Sequence, residues 1–283
     1  MNALHPPTAQ SAVALTLRNR IARAFGRSAG SYDKHADLQR QVADCLLAML
    51  PVNVHSARIL DLGCGTGYCS ARLRQRFPAS SVLALDLALP MLTVAARQLN
   101  AEADQAAANV QMLCADAQAL PLKSNSVDLL VSSLALQWCS DPVAVFAGIR
   151  RVLRPGGIAL VSTMGPATLQ ALREAWAAVD ADSHGNEFLP ASQLQQAAAT
   201  AGLQMQLQRD VVVRHYSSLL ALAHEMKALG ANVVTSATNA LTTPAAFKAA
   251  AAAFARLRQQ DGIPVEWEIY FLILRKPMES GPP

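Results

Sequence analysis

The residues best placed to do chemistry lie in one stretch, Asp61-Leu62-Gly63-Cys64-Gly65-Thr66-Gly67, directly after the aliphatic pair Ile59-Leu60. A short aliphatic run is the pattern of a buried parallel strand, and glycines straight after it let the backbone turn sharply and approach a ligand closely. A helix is expected from about Tyr68, so its free amides and positive end face whatever the loop holds. Acids recur where the next apolar runs stop. The run Ser81 to Leu85 closes on Asp86, and Val110 to Cys114 leads into Ala115-Asp116-Ala117. An acid in the first position can accept hydrogen bonds from both ribose hydroxyls of a nucleoside. In the second it can receive an adenine amino group while a backbone amide meets a ring nitrogen. Met91, near the start of the helix after Asp86, suits either an adenine face or core filling. A dinucleotide is disfavoured, because the G-x-G-x-x-G spacing is broken by a third glycine one residue early and by the bulky Tyr68 after it.

These residues need a scaffold that brings strand ends to one edge. Val127 to Ser133 reads as a fourth strand whose end lies opposite the glycine loop, followed by Leu134-Ala135-Leu136-Gln137-Trp138-Cys139. Trp138 is therefore either core or part of a substrate pocket. Asp141-Pro142 opens a helix, Arg154-Pro155-Gly156-Gly157 is a turn, and Ile158 to Thr163 is a fifth strand. Five strands alternating with helices imply a doubly wound parallel α/β sheet, which binds ligands at its carboxyl edge. The pattern then changes to helices over Leu169–Val179 and Ala191–Ala201 and a sixth strand over Met205–His215. Val265, Trp267, Ile269, Phe271 and Ile273 alternate with Glu266, Glu268 and Tyr270, which predicts a half-exposed seventh strand. Two helical pieces, Leu219–Leu229 and Ala245–Arg258, form a cap inserted at about 216–262. Residues 1–20, with Pro6-Pro7 and no periodicity, read as a mobile tail, 21–275 as a single domain, and 276–283 as a second tail.

The 283 residues are 52% hydrophobic, ample for a core. A net charge of +4 is too small for a dedicated nucleic-acid binder. It leaves room for an acidic partner, to which the basic run Arg18, Arg20, Arg23, Arg27, Lys34 and Arg40 would offer a face if it is not simply solvated. The five cysteines, Cys45, Cys64, Cys69, Cys114 and Cys139, have no metal-ligand spacing and read as reduced thiols. With no basic region leading into a long apolar stretch, a cytoplasmic location and no membrane span are expected.

The D-x-G-x-G-x-G form resembles the first motif of the class I S-adenosylmethionine-dependent methyltransferases. A narrower likeness lies in Ala24-Phe25-Gly26-Arg27, Tyr32, His35-Ala36-Asp37-Leu38-Gln39, Leu136-Gln137-Trp138-Cys139, Asn186 to Pro190, and Lys227 to Asn232. Together these resemble the malonyl-acyl-carrier-protein O-methyltransferases of biotin synthesis. The resemblance implies a Rossmann-like, seven-stranded, mostly parallel sheet with its last strand antiparallel. It also implies S-adenosylmethionine as cofactor, held by Asp61, Gly63, Gly65, Gly67, Asp86, Leu87, Met91, Asp116, Ala117 and Ser133. Malonyl-acyl carrier protein would be the substrate and acidic partner, docking on the basic run and on the Arg150 to Arg154 face. A monomer without nucleic acid, membrane or metal is implied. Tyr32 would be catalytic, closing the cofactor pocket or bonding the ester oxygen, with Arg27, Gln39, Trp138 and Lys227 around the substrate. A malonyl carboxylate is ionised near neutral pH, so no general base is required. Alternatives are a methyltransferase for another small, aconitate-like acid, and a non-enzymatic assembly factor on the same fold.

Overall fold

A computed structural model describes residues 9–51, 54, 56–101, 110–179, 186–233 and 243–278, with side chains of the first helix from residue 15. The chain opens with helices α1 (Ala9–Ser28) and α2 (Asp37–Ala48), linked through a tight turn at Tyr32–Lys34. Strand–helix alternation follows: β1 (Arg58–Leu62), α3 (Tyr68–Arg76), β2 (Ser81–Asp86), α4 (Leu89–Ala101), β3 (Val110–Cys114), β4 (Val127–Ser133), α5 (Pro142–Val152) and β5 (Leu153–Met164). Then come α6 (Gln170–Ala177), α7 (Ala191–Thr200), β6 (Gln204–Tyr216), α8 (Leu219–Ala228), α9 (Pro244–Ala255) and β7 (Ile263–Arg275).

The seven strands form one sheet in the order β3-β2-β1-β4-β5-β7-β6. Only β7 runs against the others. After β3 the chain crosses back to place β4 beside β1, so the strand order reverses between these two and their carboxyl ends leave a crevice. Strand β1 sits mid-sheet with Ile59 to Leu62 buried, which is why its sequence is a continuous apolar run. Two apolar clusters cover the faces. One joins α2, α6, α8 and α9 to the sheet through residues such as Leu46, Trp176, Leu222 and Phe254. The other joins α5 and α7 through Phe146, Ile149 and Leu194.

Three expectations change. The segment 9–20, taken as tail, lies within α1: alanine and leucine carry enough helix propensity without a long apolar stripe, and Ile21 and Ala24 then anchor the helix to the body. Strand β7 is not half-exposed: it lies between β5 and β6, and both its faces are covered, Glu268 by the turn at 165–168 and Tyr270 by the cluster that includes α5 and α7. Glu268 and Tyr270 are consequently buried. The Glu268 carboxylate is made tolerable there by Arg209 and by the Ala167 amide at 2.7 Å, which hold it below the usual carboxylate range despite the opposing effect of burial. Finally, Lys276 belongs to the body and not to a tail: it is buried, and its ammonium donates to the Leu153 carbonyl at 2.8 Å. Residues 1–8, 279–283 and part of the stretch joining the two cap helices (234–242) lie outside the described residues. Among those described, no helix is long and apolar enough to cross a membrane.

Candidate active site

The glycine loop leaves β1 with Gly63, Gly65 and Gly67 all in the left-handed region, at φ of 76°, 54° and 93°. At Gly63 a Cβ would lie 2.3 Å from the Ala135 methyl, so that position tolerates no side chain on either count. The amides of Gly63 and Cys64 donate to the Leu85 carbonyl at 2.7 and 2.9 Å, which ties the loop to β2. Gly67 caps α3, aiming that helix's positive end toward the crevice.

Three acids stand around the loop. Asp61 is fully buried; one oxygen accepts from Ser70 Oγ at 2.6 Å and the other has no protein partner. Burial and the neighbouring Asp86 push its carboxyl up to about 7, against the lowering effect of the Ser70 hydrogen bonds. Asp86 accepts the Gly65 amide at 2.9 Å and the Ala88 amide at 2.8 Å, one on each oxygen, leaving each a further lone pair. Burial raises its carboxyl too. Asp116 accepts the Gln118 amide at 2.9 Å on one oxygen and pairs through the other with Arg18, reaching across from α1.

Three cavities meet here. One of about 110 Å³ is walled by Gly63, Asp86, Leu87, Met91, Asp116 and Ala117 and roofed by α1 through Arg18 and Phe25. A small one of about 60 Å³ lies over the loop between Asp61, Gly65, Ser133 and Arg40. The third, about 240 Å³, is lined chiefly by apolar side chains of α2, α6, α8, α9 and β7 together with Trp138 and Gln39. Tyr32 alone among the described residues borders all three. Its turn is held by Asp33, which accepts from Thr66 Oγ1 and from Gln98 Nε2, both at 2.6 Å. Desolvation, then the charges of Asp86 and Asp33, raise the Tyr32 phenol well above its ordinary value, so it is a hydrogen-bond donor and not a base. Phe25 meets Trp138 edge to face at 5.2 Å, closing the wall between the largest cavity and the one under α1.

The structure thus gathers Tyr32, Gln39, Asp61, Gly63, Gly65, Asp86, Leu87, Met91, Asp116, Ala117, Ser133 and Trp138 at the carboxyl edge, with Gly67 acting through the loop and α3. Arg27 and Lys227 are not brought there: both are exposed and border none of these three cavities, because α1 and α8 turn Phe25 and Met226 inward instead. The Arg150 to Arg154 face is also partly committed, since Arg151 donates to the Leu120 carbonyl at 2.6 Å and Arg154 to Asp128 at 2.7 Å. Sequence reasoning missed Arg18, which lay in the supposed tail, although it falls three residues before Ile21 on one helical face. It also missed the separate placement of Arg40 beside the loop, because the basic run was treated as a single surface.

A protein-family model described as a methyltransferase domain matches residues 60–161. Solved structures share the architecture at low identity. The YcgJ protein of Bacillus subtilis superposes with a TM-score of 0.61 at 16% identity, over 84% of this chain and 98% of that one. A phosphoethanolamine N-methyltransferase of Haemonchus contortus superposes with 0.58 at 19%, over 93% and 60%. Fold, glycine loop and strand-end acids together define a class I methyltransferase domain. Among curated relatives, a malonyl-[acyl-carrier protein] O-methyltransferase of Marinomonas is 32% identical over 93% of this chain and 96% of its own length. One of Laribacter hongkongensis is 37% identical over 90% and 88%. The chain belongs to the malonyl-[acyl-carrier protein] O-methyltransferase family. It also matches the biotin biosynthesis bifunctional protein BioHC of Cellvibrio japonicus, 40% identical over 92% of this chain, and spans about half (50%) of that longer protein.

Proposed function

We propose that this chain transfers a methyl group from S-adenosylmethionine to the free carboxylate of a malonyl thioester borne on acyl-carrier protein, as the names of its relatives indicate for them. The observation that carries the cofactor half is Asp61: a buried acid with an unpartnered oxygen, beside a loop that accepts no side chain, fits a ligand bringing an ammonium group close to the backbone. Asp61 and Arg40 would hold the amino-acid end, Asp86 the ribose, and Asp116 with the Ala117 amide the adenine. When bound, this cofactor supplies a methyl group on a positively charged sulfur, already activated for displacement.

The protein's own task is then alignment and exclusion of water. Tyr32, protonated and bordering every cavity, donates to the acid or the forming ester without competing as a nucleophile. Trp138, Phe25 and the cap helices seal the acyl cavity. An acidic carrier would dock on Arg20, Arg23, Arg27 and Lys34, which are exposed on α1 and on the turn after it, and α1 also roofs the cofactor cavity. The reading includes action as a monomer in the cytoplasm. Its test is intact-mass analysis of malonyl carrier protein incubated with enzyme and S-adenosylmethionine. One added methyl group, removable by an esterase, is expected; an unmodified carrier alongside methylation of free dicarboxylic acids would overturn the carrier as substrate.

A further inference from the structure

The largest cavity is walled by aliphatic and aromatic groups, with four neutral amides, Gln39, Gln137, Asn186 and Asn232, and one acid, Glu225. Glu225 is already engaged, accepting from Arg214 at 2.9 Å and from the Tyr216 hydroxyl at 3.1 Å. No lysine or arginine borders this cavity among the described residues, and those residues include every lysine and arginine of the sequence. The guanidinium groups bordering the two smaller cavities are already ion-paired: Arg18 binds Asp116 through one terminal nitrogen, its buried Nε having no partner, and Arg40 binds Asp37 and the Asp33 carbonyl, the latter at 2.7 Å. Gln39 stands where the apolar cavity joins the one over the glycine loop, and one atom of its amide is buried there without a protein partner. Either end of that amide can occupy the position, so it offers a donor as readily as an acceptor.

A carboxylate entering such surroundings loses hydration and needs both hydrogen bonds and a compensating charge. We propose that the acid is held as an ion by neutral donors, the Tyr32 hydroxyl and the Gln39 amide, and that its charge is balanced by the sulfonium of the cofactor and not by a protein cation. This rests on the methyltransferase reading above. It follows that the acid and the charged cofactor bind cooperatively, and that an acid arriving first is poorly held. When the methyl passes from sulfur to a carboxylate oxygen, the carbon–sulfur electron pair stays on sulfur and both partners become neutral. The attraction then vanishes, and the ester leaves a site with nothing charged to retain it. A resident lysine or arginine would instead hold the acid in every state and draw electron density from its nucleophilic oxygen.

The test measures calorimetric binding of malonyl-pantetheine to the intact protein saturated with either of two adenosyl ligands. These are sinefungin, in which a protonated amine replaces the sulfonium, and S-adenosylhomocysteine, whose sulfur is neutral. Affinity at least about tenfold higher in the sinefungin complex is expected for a close charge pair shielded from water. The methyl ester of the same probe should differ by less than about twofold between the complexes, having no charge to balance. Gln39→Lys should raise the affinity of the S-adenosylhomocysteine complex toward that of the sinefungin complex. Equal affinity of the acid for both wild-type complexes would overturn the proposal. Failure of either adenosyl ligand to bind at all would overturn the methyltransferase reading beneath it, a distinguishable result.

Discussion

The two halves of the site are made of different materials. Around the glycine loop the cavities are walled by backbone and by carboxylates at the ends of three neighbouring strands, each within a few residues of an apolar run. Under the cap the cavity is lined by side chains from α2, α6, α8, α9 and β7, elements scattered over most of the chain. The first half is rigid and specific through geometry, so one misplaced atom is costly. The second is a tolerant apolar enclosure in which volume matters more than identity.

The sharpest way to break that contrast is Gly63→Val, which adds a clash at Ala135 to a left-handed backbone. We expect binding of S-adenosylhomocysteine to weaken by more than about a hundredfold, as read by calorimetry. A large-to-small change in the cap, Leu222→Ala, should leave that affinity within about threefold, because it touches only the apolar enclosure. Next in size is Asp61→Asn. The native carboxyl titrates at about 7 in the fold, above its unfolded value, so ionising it works against the free folded protein as pH rises from about 4 to 7. The asparagine variant should therefore be more stable without ligand, by a gain that grows across that window to at most a few kcal/mol and is flat above it, followed by urea denaturation. Its affinity for the cofactor should fall at least about tenfold, since a charged partner of the ammonium is lost. Tyr32→Phe should lower kcat by about tenfold or more with little change in melting temperature, because the variant keeps the ring that packs against Ala29, Ala88 and Met91 and loses only the hydroxyl. Smaller still, Arg18→Ala frees an oxygen of Asp116 and should tighten S-adenosylhomocysteine by a few-fold. The least effect is expected from Arg27→Ala and Lys227→Ala with a small malonyl thioester, within about twofold in kcat/KM. Arg27→Ala should nevertheless weaken carrier-protein binding at low salt and lose that difference at high salt.

The same division decided what could be read before the fold was known. Asp61, Asp86 and Asp116 announce themselves because an acid closing an aliphatic run is a local pattern, and parallel pairing carries all three to one edge. Most strand and helix assignments after β1 followed for the same reason, although Arg154 to Gly157, read as a turn, lies within β5, where the pairing with β4 shifts register between Leu153 and Ile158. The cap helices were visible as helices, yet which face of α8 points inward is set by how it packs on β6 and α9, which its own sequence does not show, and so Lys227 looked as eligible as Met226. For α1 the difficulty was reversed: it lacks a long apolar stripe, and its packing rests on a short set of residues that includes Leu17, Ile21, Ala24 and the inward Phe25. The burial of Glu268 was invisible because alternation along β7 does not say whether its second face is covered, and here the turn after β5 covers it through Ala167 and Thr168, about a hundred residues away in sequence.

The reversed direction of β7 sets where the polypeptide departs. Arg275 pairs with Ile158, midway along β5, whereas Ile269 pairs with Met164 at the end of β5 beside the largest cavity. Six residues of strand, roughly 20 Å, therefore separate the departure point from the reacting edge. A purification handle or a second folded unit joined beyond that point would stand at the back of the sheet, away from the cavities at the carboxyl edge.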